Sequence, residues 1–251
     1  MPPERDLADI FNSTRWSVVA AAKAGDPAAT AALDELFRIY WSPVYCFIRR
    51  RGQEAADAED LVQDYFASLL RRGYLGETDK TKGRFRAFLL ADLKLFLANA
   101  GRRERAEKRG GGAEVLSIDV DDAEQRYALS AAMVAEPDVL FDREWASEVF
   151  ALARRQLARE CEEQGKWQMF ETLAPLLDQP PVDGVLATAA EALDSNVGAV
   201  KVALHRLRGR FAEALRSLVR DTVSDPRDAE AELRHLVLVW ARSAEPKDPR
   251  D

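Results

Sequence analysis

The sequence predicts an all-α fold, with two small helical domains joined by an acidic linker and followed by a C-terminal helical extension. Three observations lead there. Apolar residues recur at helical spacing through most of the 251 residues, strand-like alternation is essentially missing, and prolines and glycines stand where helices start and stop. Asp26-Pro27 reads as an N-cap with a first-turn proline and opens a helix through Leu33, Leu36, Phe37 and Tyr40. Ser42-Pro43 repeats the device and is expected to start a separate helix over 44–51. In the next segment Ala58, Leu61, Val62, Tyr65, Phe66 and Leu69 form a single apolar stripe, with Glu59, Asp60, Gln63 and Asp64 opposite. After a polar connection over 73–83, Phe85, Phe88, Leu89, Leu93, Phe96 and Leu97 mark a long helix that runs into an arginine cluster over 102–109 and ends at Gly110-Gly111-Gly112. Residues 111–140 show no long helical period and read as a linker by composition. Helices are expected near 143–163 and 166–177, the latter bent or ended by Pro175. Pro180-Pro181 resets the chain before a helical pair, 182–193 and 197–219, joined by Asp194-Ser195-Asn196. Beyond Asp225-Pro226 a last amphipathic helix sets Leu233, Leu236, Val237 and Trp240 on one side. The expected division is therefore a first domain at 1–110, a linker at 111–140, a second domain at 141–222 and an extension at 223–251, with no internal repeat.

The chain carries 36 Lys plus Arg against 43 Asp plus Glu, a net charge of -7, but the charges are segregated. Residues 54–64 hold five acids and no base, and residues 80–110 hold ten bases against three acids. The stretch 113–148 has ten acids against two bases, 195–220 six bases against one acid, and the tail from 221 eight acids against five bases. Two basic blocks separated by an acidic connector point to nucleic acid, although each block alone could be a solvated helix face.

Other classes are disfavoured. No apolar run approaches the roughly 18 residues that would span a bilayer, and residues 1–10 carry Glu4, Asp6 and Asp9 without the apolar core of a secretory signal, so the expected compartment is the cytoplasm. Cys46 and Cys161 do not make a disulfide scaffold, and with His205 and His235 they have no zinc-ligand spacing, so no metal or cofactor is expected. Neither histidine has a nucleophile or carboxylate at a telling spacing, and Gly110 to Gly112 follow no strand as a phosphate loop would, so neither an enzyme nor a small-molecule substrate is expected.

Three motifs carry the functional reading. A short helix, a polar turn at Asp194 and a second helix opening at Val197-Gly198-Ala199-Val200 match the helix-turn-helix arrangement. Gly198, Ala199 and Ala203 keep the second helix slim enough for a major groove, and Lys201, His205, Arg206, Arg208 and Arg210 can reach phosphates or base edges. Next, aromatic and basic residues interleave at Arg84-Phe85-Arg86-Ala87-Phe88, with Asn99 and Arg102-Arg103-Glu104-Arg105 following, a combination suited to holding opened DNA. By spacing, Phe85, Phe88 and Phe96 belong inside, which leaves DNA contacts to the polar residues. Finally, the acidic face over 57–64 meets either solvent or a basic protein partner.

The runs Leu36-Phe37-Arg38-Ile39-Tyr40-Trp41-Ser42-Pro43-Val44-Tyr45, Asp57-Ala58-Glu59-Asp60-Leu61-Val62-Gln63-Asp64-Tyr65-Phe66 and Gly83-Arg84-Phe85-Arg86-Ala87-Phe88-Leu89, with Asn99, resemble region 2 of bacterial sigma factors of the extracytoplasmic-function (ECF) type of the sigma-70 family. Residues 198–208 resemble their region 4. Thr14-Arg15-Trp16-Ser17, Lys108-Arg109-Gly110-Gly111-Gly112 and the long tail are similar to a subgroup associated with planctomycetes and related bacteria. The resemblance implies two partners, core RNA polymerase and promoter DNA, and a role in promoter recognition and melting. It assigns polymerase contacts to Asp60, Gln63 and Asp64, supported by Leu61 and Phe66. It places the minus-ten element against the loop over 74–82, with Lys82, Arg84, Arg86, Asn99, Arg102, Arg103 and Arg105 holding DNA there. It gives the minus-thirty-five element to Gly198, Lys201, His205, Arg206 and Arg208, and it sends the acidic linker through the polymerase cleft.

Asp194 stands where the turn often has glycine, and aspartate tolerates the left-handed conformation better than most residues, so the turn is expected to survive. The tail could pack on the second domain and occlude DNA or a partner, or cap that domain. An anti-sigma factor or a Ser/Thr kinase are candidate regulators. A helix-turn-helix regulator of duplex DNA that is not a sigma factor would account for 201–210, but would leave the acidic helix and the block over 84–109 without a task.

Overall fold

A computed structural model describes residues 27–72, 84–103, 120–131, 136–177, 184–223 and 225–244. Among these the fold is all helical, apart from one isolated antiparallel bridge between Arg84 and Val223. The helices are α1 (Pro27–Arg50), α2 (Ala55–Arg72), α3 (Phe85–Arg103), α4 (Val120–Ala131), α5 (Pro137–Glu163), α6 (Trp167–Leu173), α7 (Val185–Ala192), α8 (Val197–Arg220) and α9 (Ala229–Ala244). Short 3-10 turns at Ala174–Leu176 and Pro226–Asp228 follow α6 and precede α9. The glycine stop at Gly110 to Gly112 lies outside the described residues.

The chain divides into two compact units, one formed by the residues up to Glu148 with those from Val219 onward, the other by Val149–Leu218. This shifts the boundaries that composition suggests. Residues 141–148 count with the first unit because Phe141 and Trp145 are fully buried there, Phe141 edge-on to Phe47 at 6.4 Å and Trp145 stacked on Tyr40 at 6.2 Å. The C-terminal helix also belongs to the first unit, not to the helix-turn-helix unit as the tail reading supposed.

In the first unit α1 supplies Phe37, Tyr40, Val44, Tyr45, Phe47 and Ile48, all buried. Helix α1 runs unbroken through Pro43, where two helices were expected. A proline inside a helix loses the bond to the carbonyl four residues back, here that of Ile39. Burial of the residues on both sides, from Ile39 to Ile48, holds the helix together across that loss. Helix α2 sets Ala58, Val62, Tyr65, Phe66 and Leu69 against it, with Phe66 4.5 Å from Phe37. The Tyr65 hydroxyl donates to the Leu89 carbonyl at 2.9 Å and so ties α2 to α3. Phe85 is buried as the spacing predicts, whereas Phe88 and Phe96 are half-buried, Phe96 5.3 Å from the Tyr65 ring.

Residues 120–131, read as linker, form a helix packed on α1. Ala123 is the one buried residue among its described side chains and Leu129 is exposed, so its anchorage is polar. Glu124 accepts from the Tyr45 hydroxyl at 2.6 Å and from Arg49 at 2.6 and 3.0 Å, and the Arg49 guanidinium lies 4.8 Å from the centre of the Tyr127 ring. Arg126 pairs with Glu148, and Ala123 is buried. Both cysteines are buried, and burial pushes the Cys46 thiol well above its ordinary range.

In the second unit, Val149, Phe150, Ala153 and Leu157 of α5 are buried, as are Phe170 and Leu173 of α6, Ala189 and Ala190 of α7, and Val200, Leu204, Leu207 and Phe211 of α8. Pro175 ends α6 as expected by opening the 3-10 turn. Among the described residues no helix is long and apolar enough to cross a membrane.

The Arg49 hydrogen bonds, aided by Tyr45 and opposed by partial burial, hold the Glu124 carboxyl below the usual range. Its stabilising contribution is therefore complete above the ordinary glutamate value of about 4.3 and is lost as pH falls through the lower folded value. Acidification from pH 7 to 3 is expected to lower Tm more in the wild type than in Glu124→Gln. The difference should correspond to about 1 kcal/mol for this partly exposed pair, read by circular dichroism melts.

Candidate nucleic-acid and polymerase interface

The acidic helix α2 is two-faced for a simple reason: its apolar stripe is core, so its acids point outward. Asp60 and Asp64 are exposed, and Gln63 is half-buried and donates to Glu59 at 3.4 Å. Leu61 is half-buried and lines a groove of about 200 Å³ with Ile48, Arg51, Gln53, Leu97, Ala98 and Ala100. Phe66 is fully buried and acts on this face only through the packing of α2.

The residues assigned to the minus-ten element are split by the structure. Lys82 and Arg105, and the loop over 74–82, lie outside the described residues. Arg102 and Arg103 close the last turn of α3, and Asn99 is exposed near that end. Arg86, expected at the surface, is instead buried in the first turn of α3. Its Nε donates to Glu232 at 2.9 Å, its Nη1 pairs with Asp142, and its guanidinium lies 5.5 Å from the centre of the Trp145 ring. Arg84 remains partly exposed and reaches Glu232 at 3.1 Å. Burial pulls the Arg86 pKa down, but the Glu232 hydrogen bond and the two carboxylate charges outweigh it and the net shift is upward. The cause of the burial is register: residue 86 shares a helix face with Leu89 and Leu93, both in the core. Glu232 and Asp142 complete this site and were missed from sequence. Glu232 lies four residues before Leu236 and so on the same buried face of α9, a signal that an acid there needs a cation.

In the second unit the helix-turn-helix is formed by α7, a turn over 193–196 and α8. Asp194 adopts the left-handed conformation, φ 45°, and the following Ser195 N–H donates to the Ala190 carbonyl at 2.9 Å. Asn196 caps α8, accepting from the Ala199 N–H at 2.9 Å. A side chain at Gly198 would place its Cβ 3.2 Å from that cap oxygen. Gly198, Lys201, His205 and Arg206 share the exposed side of α8, joined by Val202, which is half-exposed. Arg208, expected among them, turns inward and donates through Nε and Nη2 to the Leu176 carbonyl at 3.1 and 2.7 Å. It donates to the end of the 3-10 turn, where a helix leaves carbonyls without intrahelical partners. Arg210 is likewise engaged, with Glu160 at 2.7 Å. Among the described residues no cluster of His, Cys, Asp and Glu is placed to hold a metal ion.

A helix-turn-helix with a cationic exposed face and a separate helix with an acidic one describe a DNA-binding protein of transcription. The family model of the ECF sigma factors matches residues 15–166, more than half of the chain, and the chain belongs to that family. It is accordingly a sigma factor acting in transcription initiation, a role whose partners are core RNA polymerase and promoter DNA. The matched span includes α2 and α3 and ends before the helix-turn-helix. No curated protein and no solved structure matches the chain.

The placements of Lys201 and Arg208 separate charge from scaffold. Lys201→Ala is expected to leave Tm unchanged while reducing the salt slope of duplex DNA binding by about 0.9, one phosphate contact. Arg208→Ala should instead destabilise the protein by about 1 kcal/mol, because it removes two hydrogen bonds from the part-buried Leu176 carbonyl. Parallel melts and salt titrations of the full chain distinguish the two.

Proposed function

We propose that this sigma factor docks on core polymerase through the exposed acids of α2 and brings two basic surfaces to one promoter. The family match over 15–166 carries the reading, because it spans both the acidic helix and the basic helix after it. Asp60 and Asp64 meet a basic surface of the polymerase, Gln63 adds polar contact, and Leu61 and Phe66 keep the helix in position. Asn99, Arg102 and Arg103 on the distal turns of α3, with Lys82 and Arg105, hold the minus-ten element as it melts. Lys201, His205 and Arg206, with Gly198 allowing close approach, read the minus-thirty-five element. The division of regions follows this assignment: region 2 in the first unit, region 4 in the second. The pattern resembles a subgroup associated with planctomycetes and related bacteria, the cytoplasm is the site of action, and an anti-sigma factor or a Ser/Thr kinase would supply control.

Run-off transcription with purified core polymerase on a promoter library tests the reading. Promoter-dependent transcripts are expected, and the double reversal Asp60→Lys, Asp64→Lys should abolish them while Tm and duplex binding through α8 are retained. A chain that shifts duplex DNA unaided and adds nothing to core polymerase would instead be a helix-turn-helix regulator.

A further inference from the structure

The C-terminal helix places a carboxylate on the two arginines that open α3. Glu232 is fully buried, with Oε1 2.9 Å from Arg86 Nε and Oε2 3.1 Å from Arg84 Nη1. The backbone leading to α9 is attached to the same turn: the Phe85 N–H donates to the Thr222 carbonyl at 2.9 Å, and Arg84 bridges Val223. Two guanidiniums converging on a pair of anionic oxygens is also the arrangement in which arginines receive a phosphate. We propose that α9 is an intramolecular competitor for nucleic acid. Glu232 occupies the place of a phosphate on Arg84 and Arg86, and these arginines take up single-stranded DNA only when α9 is displaced.

This rests on the sigma-factor reading, whose resemblance also sets Arg84 and Arg86 at the minus-ten element. Three features favour a displaceable contact over a permanent strut. Arg84 is 35% exposed, so the ion pair stands at the edge of the contact where a phosphate can reach it. Asp142 of α5 pairs with Arg86 through Oδ1 while its Oδ2 meets His235 of α9 at 2.9 Å, so departure of α9 breaks the histidine contact but leaves Arg86 a counter-charge on α5. The outer side of α9 carries Val237 and Leu238, both well exposed, so this helix is held by one face only.

The test is titration of the full chain and of Glu232→Gln with oligothymidylate, followed by fluorescence anisotropy between about 50 and 200 mM salt. The variant is expected to bind more tightly and with a salt slope steeper by about 1.4. That is two phosphates at about 0.7 each, or about sevenfold more affinity lost across this fourfold range. Adding Arg84→Ala should remove about half of the increment. Equal or weaker binding by a variant whose α3 amides keep their hydrogen-exchange protection overturns the proposal. If the substitution loosens α3 itself, the wild type decides. With saturating oligothymidylate, amides over 229–244 should lose protection while those over 85–103 keep theirs, and unchanged protection over 229–244 overturns it. Run-off transcription separates the two readings. A chain that directs no promoter-dependent transcript yet shows these responses loses its sigma mechanism and keeps the competition, whereas one that transcribes without them loses only the competition.

Discussion

The buried guanidinium of Arg86 is the interaction on which the first unit depends. A cation taken out of water needs counter-charges with good geometry, and Arg86 draws them from two distant parts of the chain, Asp142 on α5 and Glu232 on α9, while lying on Trp145. A buried charge left with no partner costs about 3–5 kcal/mol, and the two carboxylates on Arg86 mean that loss of one leaves the other in place. Helices far apart in sequence are thereby made conditional on one another. Trp145 stacks on Tyr40 and so carries the same site into α1, and Tyr40 meets Phe85 at 5.3 Å, directly beside Arg86 in the chain.

The acidic segments look different once their partners are known. Within the first unit Glu124 pairs with Arg49, Glu148 with Arg126, Asp138 with Lys94, Asp142 with Arg86, and Glu232 with both Arg84 and Arg86. Segregation of charge along the sequence is therefore partly undone by folding, since acids after residue 113 neutralise Arg49, Arg84, Arg86 and Lys94 before it. The acids of α2 differ: Asp60 and Asp64 stand exposed on the outer face of a core helix, and charge kept there is available to another molecule.

The legible parts of the sequence were those in which neighbours in the chain determine the outcome. The apolar stripe of α2, the left-handed Asp194 and the stop at Pro175 all follow from residues within one or two turns, and each is where periodicity and turn chemistry place it. Pairings at long range were not legible. Arg86 and Glu232 are 146 residues apart, and Arg86 reads as a surface base unless its register with Leu89 and Leu93 is followed through. Helix α4 has too little apolar area to announce itself, because what fixes it is Glu124 reaching Tyr45 and Arg49 some 75 residues away or more. Arg208 sits beside true surface bases on α8 and differs from them only in facing the Leu176 carbonyl.

The burial of both cysteines has a practical consequence. The chain contains only Cys46 and Cys161, neither reaches solvent, and the Cys46 thiol is held protonated by its surroundings, so little nucleophilic thiolate is presented to an alkylating probe. A single cysteine placed on an exposed helix face would then be the dominant reactive thiol without removal of either native one. Fluorophores or spin labels could be attached site by site to the wild-type core, and distances within each unit followed as the protein meets its partners.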